Sequence, residues 1–385
     1  MTDTQLPAGF TCHVANLGIK DDTTDFVVVL ADRPSSTAGV FTTSRFAGPS
    51  VLVSRAHVAD GAARAAVVIS KNANVANGPD GRSDVEEVVA RVASALGLAT
   101  NDVLIASTGV IGRRYPMERV RSGLDALPAT VTGTSADDVA RAIMTTDTHP
   151  KVASATCGPA TVVGVAKGVG MIEPDMATLI TMFFTDAEVP AAALDPLFRR
   201  VIDRTFNCVS VDTDTSTSDT AWILANGAAG AVDLDAFEAA LNDVATTLTK
   251  MVARDGEGAT KLIEVTVTGA RDRAQAKRVA KAIVNSPLVK TAVHGADPNW
   301  GRIAMAIGKC SDDVDIVESN VSIRFGGQEV FPRRVDDSGL DALAAYMRGD
   351  TVMIGADLGI ADGSATVWGC DLSDGYVRIN ADYTT

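Results

Sequence analysis

Short apolar runs rich in β-branched residues recur along the chain and mix irregularly with amphipathic helical patterns. Such runs predict buried β-strands. They lie at residues 26–30, 66–70, 103–107, 161–166, 179–185 and 262–268. Strands and helices do not alternate strictly, so the pattern disfavours a doubly wound sheet or a barrel. The prediction is an α/β layered fold with mixed β-sheets and packed helices.

Two longer segments have the periodicity of amphipathic helices. In the first, Ser83 and Glu86 have capping-box spacing, which predicts a helix beginning at Ser83. Apolar residues follow on one face at Val85, Val88, Val89, Val92 and Leu96. The second segment places Phe237, Leu241, Val244, Leu248 and Met251 at similar steps. Further helices are predicted at 274–284 and 340–348, and the apolar faces are expected to pack on sheets.

Length and charge restrict the function classes. The chain has 385 residues, of which 46% are hydrophobic, enough for one large domain or two moderate ones. No linker or repeat marks a boundary between domains. The net charge of −14 repels phosphate backbones, and no basic cluster interleaved with aromatic residues offsets it. Nucleic acid is therefore excluded as an expected partner.

Cysteine and histidine placement gives no support for metal or redox chemistry. The five cysteines are scattered without CxxC pairing, so they are interpreted as buried thiols. The four histidines are far apart and no HExxH motif occurs. We expect no metal and no cofactor. The start of the chain lacks a signal-peptide pattern and no run is long enough for a membrane span, so a cytoplasmic protein is expected.

The segment KGVGMIEPDMATLITMFFTDA, residues 167–187, combines an irregular glycine-containing approach with a strand-like run. Thr178 stands where the loop becomes strand. Periodicity alone favours the simple interpretation, in which Thr178 is the β-favouring first residue of a core strand. These residues do not by themselves identify Thr178 as a nucleophile.

Three other segments carry polar residues at turns. Thr108 and Gly109 follow a predicted strand, and such a pair can direct a hydroxyl and a backbone N–H at a developing oxyanion, or form a plain turn. GADPNWGR (295–302) and DTDTSTSDT (212–220) are typical of solvated loops. The latter lacks the central glycine and terminal glutamate of a calcium-binding EF-hand loop.

Seven segments together resemble the ornithine acetyltransferase family, also called glutamate N-acetyltransferases, of the N-terminal-nucleophile type. They are STGVIG, IMTTDTHPK, AKGVGMIEPDMATL, FNCVSVDTDTSTSDT, DGEGATKLIEV, VHGADPNWGRI and YVRINADYTT. They occur in family order from near residue 100 to the last residue. The resemblance implies a fold of the N-terminal-nucleophile acetyltransferase type and transfer of an acetyl group from N-acetylornithine to glutamate.

The resemblance also implies that a precursor cuts itself between Ala177 and Thr178. The pieces would be 1–177 and 178–385, intertwined in one core, with two copies of each in a heterotetramer. Thr178 would then be both nucleophile and base, because a free α-amine has a pKa near ~8 and lies beside its own hydroxyl.

Further site residues are implied by the matched motifs. Thr108 and Gly109 would stabilise the oxyanion. The substrate-binding residues would be Thr146, Lys167, Thr178, Glu257, Asn380 and Thr385. A lysine suits the carboxylate of an amino-acid substrate and a glutamate suits its amine. Glu264 is an alternative to Glu257.

Several alternatives stay open at this stage. Asp175 replaces the asparagine common before Met-Ala-Thr, and Glu173 adds a second carboxylate, which leaves arginine synthesis or secondary metabolism as the physiological role. An amidase or aminopeptidase of the same nucleophile type would use water as acceptor. A non-catalytic binding module would leave Thr178 as a strand start. Whether acetyl-CoA is also a donor is undetermined.

Overall fold

The computed structural model describes residues 3–20, 22–173 and 179–382. The strands are β1 Phe10–Ala15, β2 Phe26–Phe41, β3 Ala62–Ile69, β4 Val103–Ser107, β5 Lys151–Cys157, β6 Ala160–Lys167, β7 Ile180–Glu188, β8 Val209–Ser210, β9 Thr220–Ala231, β10 Leu262–Ala270, β11 Ser322–Phe325, β12 Gln328–Phe331, β13 Thr351–Asp357 and β14 Gly363–Cys370.

The α-helices of the same residues lie mostly between the strands. They are α1 Pro49–His57, α2 Gly78–Leu96, α3 Met117–Asp125, α4 Ala136–Ile143, α5 Ala191–Arg204, α6 Leu234–Arg254, α7 Arg273–Val284, α8 Pro287–His294, α9 Trp300–Gly308, α10 Asp337–Met347 and α11 Asp374–Asp382. Within the described ranges, none is long and apolar enough to cross a membrane.

The larger sheet contains eight strands in the order β4-β3-β2-β9-β7-β6-β5, with β1 paired to β2. Parallel pairs join β3 to β4 and β7 to β9, and the other neighbours are antiparallel. β7 is buried along nearly its whole length because both faces of the sheet are covered. This explains why its sequence is a continuous apolar run instead of an alternating one.

The smaller sheet contains six strands in the order β12-β11-β13-β10-β14-β8. It too mixes parallel pairs, β10–β13 and β8–β14, with antiparallel ones. A continuous core of buried side chains joins the two sheets through α5 and α6. The predicted layered α/β architecture with mixed sheets is confirmed.

The core forms on both faces of the larger sheet. Phe183 packs toward α5 and α6, whereas Met182 and Phe184 pack on the opposite face with α4. A third cluster places the valines of α2 against β2, β3 and β4. Each fully buried aromatic or aliphatic side chain of this kind contributes about 1.5–3 kcal/mol, so the sheet holds the site on a rigid base.

Two predictions about individual elements need correction. The helix expected to begin at Ser83 begins at Gly78, with Pro79 in its first turn, so the capping-box assignment was wrong. Pro79 fits there because the first helical N–H groups need no intrahelical partner.

The runs identified from sequence also omitted strand β9, which lies at the centre of the larger sheet. Its Asn226, Gly227 and Gly230 interrupt the apolar, β-branched pattern that predicts a strand. The predicted apolar face of α6 is confirmed, with Met251 half-buried at its end.

The cysteine thiols are free, and all except the half-buried Cys310 are buried. Burial raises the pKa of the Cys12 thiol to about 11 and also raises those of Cys208 and Cys370. These groups stay protonated at neutral pH, which fits their interpretation as structural thiols.

Candidate active site

A cavity of about 290 Å³ opens where the ends of β4 and β6 meet the start of β7. Its lining residues are Thr108, Gly109, Val110, Ile111, Thr145, Thr146, Lys167, Gly170, Met171, Leu179, Ile180, Ser216, Thr217, Ser218, Asp219, Glu257 and Asn380. Six residues predicted from sequence therefore converge: Thr108, Gly109, Thr146, Lys167, Glu257 and Asn380. Ala177, Thr178 and Thr385 lie outside the described residues. A larger cavity of about 1120 Å³, beside α1 and α5, contains none of the predicted site residues.

The turn after β4 presents a hydroxyl and a backbone N–H. Thr108 donates its own N–H to Ile69 O at 3.1 Å, so its side chain is the part available to a ligand. Gly109 has φ 126°, and an added Cβ would lie 2.2 Å from the carbonyl carbon of Lys71. A residue with a Cβ would clash with the Lys71 backbone, so this position requires glycine. Among the described residues, none accepts the Gly109 N–H.

Lys167 ends β6 as a buried cation facing this turn. Its Nζ donates to Thr108 Oγ1 at 3.1 Å. Burial lowers the pKa of the Lys167 ammonium, and the Asp147 carboxylate opposes this only in part. Burial acts to raise the pKa of Asp147, but Lys167 and Lys151 outweigh it and hold that pKa below its usual range. An anionic ligand would restore the preference of Lys167 for its charged form.

A buried ion network lies beneath the cavity. Lys151 Nζ is 2.7 Å from Asp147 Oδ1 and 2.6 Å from Asp255 Oδ2, with all three side chains almost fully buried. Asp147 also accepts the Gly168 N–H at 2.7 Å, directly after Lys167. Asp255 accepts the Thr148 N–H at 3.1 Å. The network therefore joins three backbone segments that contribute to the cavity wall.

Glu257 is held by contacts from distant parts of the chain. Thr146 Oγ1 donates to its Oε1 at 3.3 Å, and Asn380 Nδ2, on α11, donates to its Oε2 at 2.9 Å. The Glu257 N–H donates to Val169 O at 2.8 Å. A Cβ on Gly170 would lie 2.5 Å from Oε2, so the glycine leaves room for the carboxylate. The alternative residue Glu264 does not line the cavity.

Glu264 instead belongs to a structural cluster on β10. Its Oε2 is 2.8 Å from Lys250 Nζ and accepts from Trp368 Nε1 at 2.9 Å. The sequence left Glu257 and Glu264 as alternative candidates for binding the substrate amine, and of these two only Glu257 lines the cavity.

Residues just before the Pro174–Thr178 segment are fixed by the loop of residues 212–220. Asp212 accepts the N–H groups of Met171 and Ile172, each at 2.7 Å. Glu173 accepts from Ser210 Oγ at 2.8 Å, and Asn285 and Lys281 also bind its carboxylate. Glu173 is thus an anchor for the chain upstream of the proposed cleavage position.

The loop of residues 212–220 is solvated, as expected, only in its first part: residues 213–215 are exposed, whereas residues 218–220 are buried. Ser218 and Asp219 are 6% and 2% exposed, and both line the cavity. The position directly after Asp219 explains the burial, because the Thr220 N–H donates to Leu179 O at 2.9 Å and brings this loop against the start of β7. The GADPNWGR turn, by contrast, joins α8 to α9 away from the cavity.

The sequence interpretation also missed Asp147 and Lys151. A lysine and an aspartate four residues apart are usually exposed, so the local pattern gave no sign that these two are buried. The coming together of residues 147, 151 and 255 depends on the sheet topology.

Known proteins resemble this chain over nearly its whole length. A family model described as the ArgJ family matches residues 11–385. Glutamate N-acetyltransferase Oat2 of Streptomyces clavuligerus is 60% identical, over 98% of each chain. Arginine biosynthesis bifunctional protein ArgJ 2 of a Nostoc species is 55% identical over 100% of both chains.

One solved structure is also similar to part of this chain. The crystal structure of the arginine biosynthesis bifunctional protein argJ from Bacillus halodurans is 40% identical. It matches 51% of this chain and 96% of that chain, with a TM-score of 0.49.

Proposed function

Because the chain belongs to the ArgJ family, we propose that it cuts itself between Ala177 and Thr178 and then transfers an acetyl group from N-acetylornithine to glutamate. One observation carries the proposal: an oxyanion-type turn, a buried cation and an anchored carboxylate converge on a cavity lined by Leu179 and Ile180. These two residues directly follow Thr178 in the sequence.

The first proposed step is self-cleavage. The Thr178 hydroxyl attacks the Ala177 carbonyl carbon, the C–N bond breaks, and the chain is joined through an ester while the Thr178 nitrogen becomes an amine. Water then hydrolyses the ester, which releases the Ala177 carboxylate and restores the hydroxyl. The new α-amine, with a pKa near ~8, serves as base for the hydroxyl of the same residue.

Acetyl transfer follows in two half-reactions. The Thr178 oxygen attacks the acetyl carbonyl of N-acetylornithine while the α-amine accepts the hydroxyl proton. The Thr108 hydroxyl and Gly109 N–H donate to the resulting oxyanion, a role in which loss of one donor costs ~10²–10³ in rate. The amide C–N bond breaks and ornithine leaves with the proton. The amine of glutamate then attacks the acetyl ester, the ester C–O bond breaks, and N-acetylglutamate leaves while the proton lost by its amine passes through the α-amine to the Thr178 oxygen.

The two ends of the cavity suit an amino-acid substrate. Lys167 would be a fixed positive charge for the α-carboxylate, and its contact with Thr108 Oγ1 supports a position for that carboxylate next to the oxyanion turn. The Glu257 carboxylate, held by Thr146 and Asn380, accepts hydrogen bonds from the side-chain amine of the substrate. Thr385 completes the binding residues at the C-terminus in this proposal.

The two products of cleavage would remain one folded unit. β7, from the downstream piece, pairs with β6 of the upstream piece, and β9 pairs with upstream β2. Separation of the pieces would break the centre of the larger sheet. We propose that they stay intertwined, that two copies of each assemble as a heterotetramer, and that the enzyme acts in the cytoplasm.

The decisive assay supplies N-acetylornithine with and without glutamate and follows N-acetylglutamate, ornithine and acetate. Glutamate-dependent formation of N-acetylglutamate supports the proposal. Acetate release at the same rate without glutamate supports the alternative hydrolase, because water would then reach the acetyl ester as readily as the amine does. No turnover of either kind contradicts an enzymatic function.

A further inference from the structure

Asp147 is a buried carboxylate beside the active-site cavity, and the proposed reaction gives it no role. Its side chain has no exposed surface. Thr145 and Thr146, directly before it in the chain, line the cavity, whereas Asp147 itself does not. A buried carboxylate is costly unless its charge and its oxygens are compensated, so the contacts of Asp147 indicate what it does.

The first contacts of Asp147 are with backbone on two sides of the site. Its Oδ2 accepts the Thr145 N–H at 3.1 Å, and its Oδ1 accepts the Gly168 N–H at 2.7 Å. Gly168 directly follows Lys167 at the end of β6. One carboxylate therefore ties the segment that carries Thr146 to the segment that carries Lys167.

The second role of Asp147 concerns charge. Asp147 and Asp255 share the single ammonium of Lys151, at 2.7 and 2.6 Å, so this network has one negative charge in excess. Lys167 forms none of the ion pairs among the described residues, and its Nζ donates to Thr108 Oγ1. An ammonium has three donors, so a distant counter-charge balances Lys167 without occupying the donors that a substrate needs.

Four charged side chains act on Lys167 from the elements around it. Burial lowers the pKa of Lys167 most, and the Lys151 ammonium lowers it further. The carboxylates of Asp147, Asp219 and Glu257 raise this pKa, Asp147 the most of the three. Asp219 and Glu257 line the cavity, so a bound substrate changes their surroundings, whereas Asp147 is sealed from it. Asp147 is thus the counter-charge that stays the same with and without substrate.

We propose that Asp147 is a positioning residue for substrate binding that acts through Lys167, an assignment that rests on the proposed function. Its charge keeps the Lys167 ammonium protonated for the substrate α-carboxylate. Its two backbone contacts hold Lys167 and Thr146 in register across the cavity. Asp147 itself touches neither the substrate nor the reacting atoms.

The test is the pH dependence of the KM for N-acetylornithine in Asp147→Asn, measured at saturating glutamate. Without the carboxylate, Lys167 should lose its proton at lower pH than in the wild type. The KM at pH 9 should therefore exceed the wild-type KM up to about tenfold, as for loss of an opposite charge nearby. This excess should shrink as the pH is lowered, because Lys167 is then protonated in both proteins.

The matched control is Asp255→Asn. It removes an equally buried carboxylate from the same Lys151, but Asp255 is not among the main charges that act on Lys167. Both variants should lower the melting temperature by similar amounts, since each leaves Lys151 one carboxylate. Asp255→Asn should keep the shape of the wild-type pH profile, which a purely structural role of the network would not distinguish from that of Asp147→Asn.

Asp147→Ser is a second neutral variant, whose hydroxyl can still accept the Gly168 N–H, and it should show the same pH-dependent excess in KM. The same profile in the Asp147 and Asp255 variants, or an excess that does not change with pH, would overturn the proposal. So would failure of both Asp147 variants to fold while Asp255→Asn folds, because Asp147 would then be structural. Wild-type protein that never turns over N-acetylornithine would instead defeat the proposed function.

Discussion

The Lys167 end and the Glu257 end of the cavity are held in different ways. Lys167 is buried, and its strand end is fixed by the Asp147–Lys151–Asp255 network. Glu257 depends on single hydrogen bonds, one of them from Asn380 on the C-terminal helix α11, which has no buried residue. Changes at the first end should therefore affect both folding and binding, and changes at the second should affect binding alone.

The largest expected effect is on stability, at Lys151. Lys151→Met leaves Asp147 and Asp255 as buried carboxylates without their shared cation, so the free energy of unfolding should fall by about 3–5 kcal/mol. Chemical denaturation of the purified protein measures it. Lys250→Met is the matched control, because Lys250 is half exposed and its ion pair is worth less than about 1 kcal/mol. Equal losses in the two variants would contradict the distinction between the buried network and a surface pair.

Substitution of Lys167 should affect folding and, more strongly, substrate binding. Lys167→Ala removes the fixed charge for the substrate carboxylate, and the KM for N-acetylornithine should rise about 100-fold, in the range for loss of one partner of a buried ion pair. Steady-state kinetics at saturating glutamate measure this rise. An unchanged KM would remove Lys167 from the binding site.

The pH dependence of KM tests whether the charge of Lys167 binds the substrate. Burial lowers the pKa of Lys167, so its charge is present at low pH and is lost as pH rises through that lowered value. The KM for N-acetylornithine should therefore begin to rise below the ordinary lysine pKa of ~10.4. Lys167→Arg should delay the rise, because a guanidinium stays protonated. The same rise in both proteins would assign it to another group.

The smallest expected effect lies at the Glu257 end. Asn380→Ala removes one hydrogen bond of about 0.5–1.5 kcal/mol to the Glu257 carboxylate, so KM should rise about two- to tenfold with the melting temperature unchanged. Arg378→Ala is the control on the same helix, because Arg378 is exposed and pairs only with Asp374 among the described residues. A loss of stability at Asn380 like that at Lys151 would erase the difference between the two ends.

Much of the site was predictable because its residues lie in recognisable local motifs. The strand patterns at 161–166 and 179–185 correspond to β6 and β7, and seven motifs in order predicted the family that the relatives confirm. Lys167 and Glu257 were named from those motifs, and the structure brings both to one cavity.

The remaining features depend on contacts between distant segments. Asp219 looks like a loop residue until β9 pairs with β7, and Gly170 looks like a turn glycine until Glu257 is packed against it. Lys151 is buried only because residue 255 returns to it from the end of α6. Local periodicity reports which face of an element is apolar, and it carries no information on such pairings.

The most direct test is the intact mass of the purified protein under denaturing conditions, with Thr178→Ala as the matched variant. The proposed self-cleavage predicts two polypeptides, 1–177 and 178–385, from the wild type, and one uncut, inactive chain from Thr178→Ala. A wild-type chain that stays whole at the 177–178 bond while it acetylates glutamate at full rate would contradict it.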